Sequence, residues 1–234
     1  MRTLSVHKIK NREDIPFNAY DYSKFKFGCK SVAKQYGYQL AETFIDWHKN
    51  HNTSNQIVVI SSPYCFIPTA TFAMKDYFIQ RLNEYLVSVD CPPVQETKIH
   101  RTITYKEDYG DIDAEARMKL IGGDGFHIDE KFVDGKVCLF LDDIKITGSH
   151  EKVITRMLKE LSLDNKIYAL FLYFAELDSK NINPNIENVL NYSFVKSLLD
   201  LDRIIKNENF LLNTRTVKYI LNSDFEEFKT FIHY

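Results

Sequence analysis

Two adjacent carboxylates, Asp142 and Asp143, follow the apolar run Val137 to Leu141 and precede Thr147-Gly148-Ser149. A buried strand that ends in acids and turns into a helix presents those acids at a strand's carboxyl end, where open α/β sheets bind ligands. The Thr-Gly-Ser turn offers backbone N–H groups and hydroxyls at a helix N-terminus. That is an anion site, and its glycine lets the backbone approach a phosphate closely. Carboxylates beside such a cradle suit a phosphorylated sugar, because the acids accept from vicinal ribose hydroxyls while the cradle holds the 5'-phosphate. Two acids alone would repel a bare polyphosphate unless Mg²⁺ bridged them.

The elements that must position these groups are readable from the apolar runs. Ile57 to Ile60, Val137 to Leu141 and Ile167 to Ala175 are short, continuous and rich in β-branched or aromatic residues, which predicts strands buried on both faces. Helical patterns lie at Thr69 to Leu86 and Glu151 to Leu161. Alternation of strand and helix implies an α/β fold, a mostly parallel central sheet flanked by helices. A fourth strand is expected at Val94 to Arg101 and an amphipathic helix at Gly28 to His48. Thr102 to Val133 is polar and irregular, with a short helical pattern at Asp113 to Leu120, and insertions of that length usually serve function. From Ile186 to Tyr234 the pattern is again helical. The chain reads as one domain, residues 1–234, with a core at about 56–175 and N-terminal (1–55) and C-terminal (176–234) segments packed on it as helical additions.

Composition narrows the class. With 44% hydrophobic and 26% charged residues the chain can bury a large core, and 30 basic against 32 acidic residues give no footprint of a nucleic-acid or membrane-surface binder. The longest apolar run is about half of what a membrane span needs. Cys29, Cys65, Cys91 and Cys138 form none of the close pairs that zinc sites use, and a thiol such as Cys138 inside an apolar run fits a reducing cytoplasm. His48 and His51 read as a helix end or surface pair rather than metal ligands. Asn213-Thr214 reads as a helix start, with Arg215 close enough to reach a ligand.

The segment Asp142-Asp143-Ile144-Lys145-Ile146-Thr147-Gly148, after its apolar run, resembles the phosphoribosyl pyrophosphate motif of type I phosphoribosyltransferases. The order of elements over about 56–175 resembles that family too. The wider set YSKFKFG (Tyr22 to Gly28), SSPYCFIPTA (Ser61 to Ala70), KIHR (Lys98 to Arg101) and DDIKITGSHE (Asp142 to Glu151) is similar to the phosphoribosyltransferase-like proteins of bacterial tellurite-resistance and stress operons.

The resemblance implies an enzyme that moves ribose 5-phosphate from phosphoribosyl pyrophosphate to a nucleobase-like acceptor. It gives Asp142 and Asp143 the ribose hydroxyls and the positive charge at the anomeric carbon, and Thr147, Gly148, Ser149 and His150 the 5'-phosphate. Ser61, Ser62 and Pro63 would match the pyrophosphate loop, with Lys98 and Arg101 as cations near the leaving group. The insertion would be a lid that keeps water out. Mg²⁺ would be held largely by the substrate and reach Asp142 and Asp143 only through it. Read without the resemblance, Ser61 to Pro63 are equally a plain loop, and Lys98 and Arg101 a solvated strand end. Three departures stand out: His150 replaces a hydroxyl residue of the phosphate loop, Ile146 replaces the acid of purine-salvage members, and Lys145, between Ile144 and Ile146, can reach a phosphate. These departures also suit an alternative, a non-catalytic sensor that binds a phosphoribosyl compound or nucleotide. A homodimer is compatible with either reading, and neither requires a membrane or nucleic acid.

Overall fold

A computed structural model describes residues 2–51, 55–101, 126–178 and 183–232, without the side chain of Arg101. The helical pattern at Asp113 to Leu120 and most of the insertion lie outside the described residues. Six strands form one sheet: β1 (Arg2–Ile9), β2 (Ile57–Tyr64), β3 (Gln95–Arg101), β4 (Phe126–His127), β5 (Val137–Lys145) and β6 (Tyr168–Leu177). Their spatial order is β1-β6-β5-β2-β3-β4, parallel throughout except for the antiparallel pair β3 and β4. The fold is the α/β class expected, a mostly parallel sheet flanked by helices.

Period-two alternation divides the strand side chains between two layers. Val59, Leu139, Leu141, Leu170 and Leu172 pack beneath the helices α1 (Ala19–Lys26), α2 (Lys30–Lys49) and α3 (Ala70–Ser88) and part of the C-terminal segment. Val58, Ile60, Cys138, Phe140 and Phe171 face the helix Ser149–Glu160 on the other side. The inner strands β2, β5 and β6 are covered on both faces, which is why their sequences are continuous apolar runs rather than alternating ones. The same burial pushes the Cys138 thiol up to about 12, so it stays protonated as a packing residue.

The order of connections creates the site. From β2 the chain moves outward to β3, then returns to place β5 on the other flank of β2. Neighbouring strands whose connections leave in opposite directions open a crevice at their carboxyl ends, here between β2 and β5.

Several expectations need correction. The N-terminal segment is not only helical, because Arg2–Ile9 forms an edge strand parallel to β6. Strands β2 and β5 outrun their apolar cores, so Ser61 and Ser62 belong to β2 and Asp142 and Asp143 to β5. The helix expected from Gly28 is preceded by a separate one, α1. Gly28 sits between them at φ 96°, and a Cβ there would lie 2.3 Å from the Leu211 carbonyl oxygen. Only glycine fits that conformation and that approach. His48 is buried beside Tyr85 rather than at the surface, while His51 contacts the Trp47 carbonyl at the helix end.

Candidate functional site

A cleft of about 190 Å³ opens at the β2/β5 crevice. Its floor is the end of β5 and the turn Ile146–Gly148. One wall is the segment from Ser62 to Cys65 together with Thr69–Thr71 at the start of α3; the other carries Glu187, Arg215 and Lys218 from the C-terminal helices. Lys26, the last residue of α1, enters between them.

The Thr-Gly-Ser turn opens a helix. Gly148 takes a left-handed conformation at φ 69° as N-cap of the helix Ser149–Glu160, and Thr147 Oγ1 and Ser149 Oγ lie 2.7 Å apart. Lys145 pairs with Glu151 at 2.6 Å, and Tyr173 donates to the same carboxylate at 3.2 Å. Lys145 therefore belongs to a local network at the cradle's edge.

The two acids have different partners. Asp142 Oδ1 accepts from the Ser62 hydroxyl at 2.7 Å and from the Asp143 backbone N–H at 3.0 Å, and His150 Nδ1 lies 3.2 Å from Oδ2. Burial alone would raise its pKa; the His150 hydrogen bond and charge, helped by Ser62, outweigh burial and hold Asp142 below the usual carboxylate range. Asp143 points to the other wall. Its Oδ2 accepts from the Tyr22 hydroxyl at 2.6 Å and from the Lys26 ammonium, both delivered by α1. Burial, with the adjacent charge of Asp142, outweighs Lys26 and Tyr22 and leaves the Asp143 pKa raised. Burial and then the Asp143 charge push the Tyr22 phenol well above 10, which keeps it a donor.

Of the expected residues, the structure brings Asp142, Asp143, Lys145, Thr147, Gly148, Ser149, His150, Ser62 and Pro63 to the cleft. Ser61 is buried on β2 outside its lining, and Lys98 lies over the Tyr64 ring at 4.9 Å, behind the wall. Arg101 ends β3, with its backbone opposite Phe126 of β4. A register irregularity between Ser61 and Tyr64 lifts this stretch out of regular pairing, a usual device for re-aiming side chains beside a site.

Sequence reasoning missed Tyr22, Lys26, Glu187 and Lys218. The first two are four residues apart, hence on one helix face, and that spacing was the available signal. The N- and C-terminal helices that carry them, called the hood below, are tied together by hydrogen bonds to the backbone. Asn213 caps the helix Thr214–Leu221 and donates from Nδ2 to the Lys26 carbonyl at 3.1 Å, while the Thr214 N–H reaches the Pro68 carbonyl at 2.8 Å.

Mg²⁺ fits this acid pair poorly. Three of the four carboxylate oxygens already accept from protein donors, and Asp143 carries an ammonium. Among the described residues no group of three or more His, Cys, Asp or Glu side chains comes together to hold a metal, and no helix is long and apolar enough to cross a membrane.

Three solved structures show similarity at low scores. Trypanosoma cruzi hypoxanthine phosphoribosyltransferase matches at 15% identity and a TM-score of 0.38, over 65% of this chain and 77% of that one. The L. donovani hypoxanthine-guanine phosphoribosyltransferase matches at 16% identity and a TM-score of 0.38, over 70% of this chain and 76% of that one. A Staphylococcus aureus hypoxanthine phosphoribosyltransferase matches at 12% and 0.37, over 65% and 84%. No curated protein matches the chain. A family profile described as PRTase ComF-like matches residues 1–234, and the chain therefore belongs to the ComF-like phosphoribosyltransferase family.

Proposed function

We propose that the cleft binds phosphoribosyl pyrophosphate and transfers its ribose 5-phosphate to a nucleobase-like acceptor, releasing pyrophosphate. The observation that carries this reading is the convergence, at one switch point, of a partly buried acid held ionised, Asp142, with the helix-opening turn at Gly148 and Ser149. The cradle holds the 5'-phosphate. Asp142 faces the sugar, accepting from its hydroxyls and offsetting positive charge as the C1–oxygen bond breaks with its electron pair on the departing diphosphate. The acceptor nitrogen then bonds to C1 and loses its proton. Ile146 forms an apolar part of the lining where purine-salvage members carry an acid, so the acceptor is one that needs no carboxylate there. Of the cations expected at the leaving group, Lys98 stands over the Tyr64 ring and acts through its field. Type I members generally use Mg²⁺ carried by the substrate. We take the whole chain as one functional unit. Its four free thiols suit the cytoplasm.

Pyrophosphate release with a panel of bases tests the reading. Replacing Asp142 by Asn is expected to cut turnover at least about hundredfold while leaving the thermal transition nearly in place; full activity in that variant rejects the assignment. One observation favours a second reading, a non-catalytic sensor: Asp143 is closed in by Tyr22 and Lys26. Ligand binding without pyrophosphate release from any acceptor identifies that case.

A further inference from the structure

The acid pair brings its own cation, Lys26. Lys26 bonds Asp143 with both side chains almost withdrawn from solvent, 11% and 7% exposed, and on the other side His150 meets Asp142. A divalent ion takes oxygen ligands at open coordination positions, with little tolerance in the case of Mg²⁺. Here the oxygens are largely committed, and a second cation at Asp143 would face the ammonium at short range in a poorly solvated place. A lysine ammonium is a compact point charge with three donors. One is spent on Asp143, and Lys26 lines the cleft, so its charge acts on whatever the cleft holds. Its position is fixed from behind, since Tyr22 shares the carboxylate oxygen and Asn213 holds the Lys26 carbonyl.

We propose that Lys26 is a built-in cation that supplies beside the acid pair the positive charge a substrate-borne divalent metal would otherwise bring there, so that this cleft binds a 5-phosphoribosyl ligand without Mg²⁺. The proposal rests on the phosphoribosyl reading given above. It makes the ligand's metal requirement a property of one side chain from the N-terminal helix.

Isothermal titration of phosphoribosyl pyrophosphate into the full chain, once in EDTA and once in excess Mg²⁺, tests it. The two affinities are expected to agree within about threefold. With Lys26→Met, affinity in EDTA is expected to fall more than about tenfold, and Mg²⁺ to recover most of the loss. A lysine that only supports the fold would weaken binding equally in both conditions, and that result overturns the proposal. Wild-type binding seen only with Mg²⁺ also overturns it and leaves the phosphoribosyl reading standing. Absence of binding in both conditions at millimolar ligand overturns the reading, and the proposal with it. Should Lys26→Met fail to fold, Lys26→Arg keeps the charge; it is expected to bind equally in EDTA and in Mg²⁺, and a Mg²⁺ requirement there overturns the proposal.

Discussion

Asp142 and Asp143 are neighbours on one strand, yet one is held by the sheet and the other by the hood. The partners of Asp142 come from β2, from its own backbone neighbour and from the first turn of the helix after β5, all within the alternating core. Those of Asp143 come from α1, more than a hundred residues away in sequence. A short motif can specify the first environment by itself, because its donors travel with it. The second exists only once the N-terminal segment has docked, so it varies independently of the motif. The contrast teaches that a motif match identifies the acids but not the charge state or access of each.

Breaking the hood side has the largest expected effect. Lys26→Met leaves a buried carboxylate uncompensated and is expected to cost about 3–5 kcal/mol in denaturant unfolding. Adding Asp143→Asn should return part of that loss. Tyr22→Phe removes one buried donor to a charged acceptor and is expected to cost about 1.5–3 kcal/mol by the same measurement. On the sheet side the effects shrink. Ser62→Ala should cost about 1 kcal/mol. His150→Ala, at a side chain 40% exposed, should cost less than about 1 kcal/mol, while a carboxyl NMR titration shows the Asp142 pKa moving up toward its ordinary value.

Acid sharpens the same contrast through opposite signs. The folded-state pKa of Asp142 lies below the ordinary 3.8, so the stability it contributes is complete above that pH and is lost as the pH falls toward the folded value. The pKa of Asp143 is raised, so its contribution is complete below 3.8 and is lost as the pH rises through the folded value. Urea unfolding at a series of acidic pH values should therefore show a shallower acid loss for Asp142→Asn and a steeper one for Asp143→Asn than for the unaltered chain.

How far the sequence could be read follows the same division. The strands at Ile57, Val137 and Ile167 were legible because burial on both faces writes a continuous apolar run, and the turn into the following helix was legible because Gly148 and its flanking hydroxyls are contiguous. Strand β1 escaped because an edge strand half open to solvent alternates weakly, with only Leu4, Val6 and Ile9 as apolar markers. The ends of β2 and β5 were placed too early because their last residues are polar groups of the site. Lys26 escaped for a different reason. Its spacing from Tyr22 puts the two on one helix face, but that spacing does not say which distant acid the face meets.

The hood also sets an order of events during synthesis. Lys26 leaves the ribosome 117 residues before the carboxylate it meets and 187 before Asn213, whose side chain holds its carbonyl. The parallel strands from β2 to β6 can assemble while that capping residue is still unmade. The nascent chain thus carries a formed cradle and an incompletely clamped Asp143 until its last helices emerge, and closing that long loop is the step whose entropy is settled last.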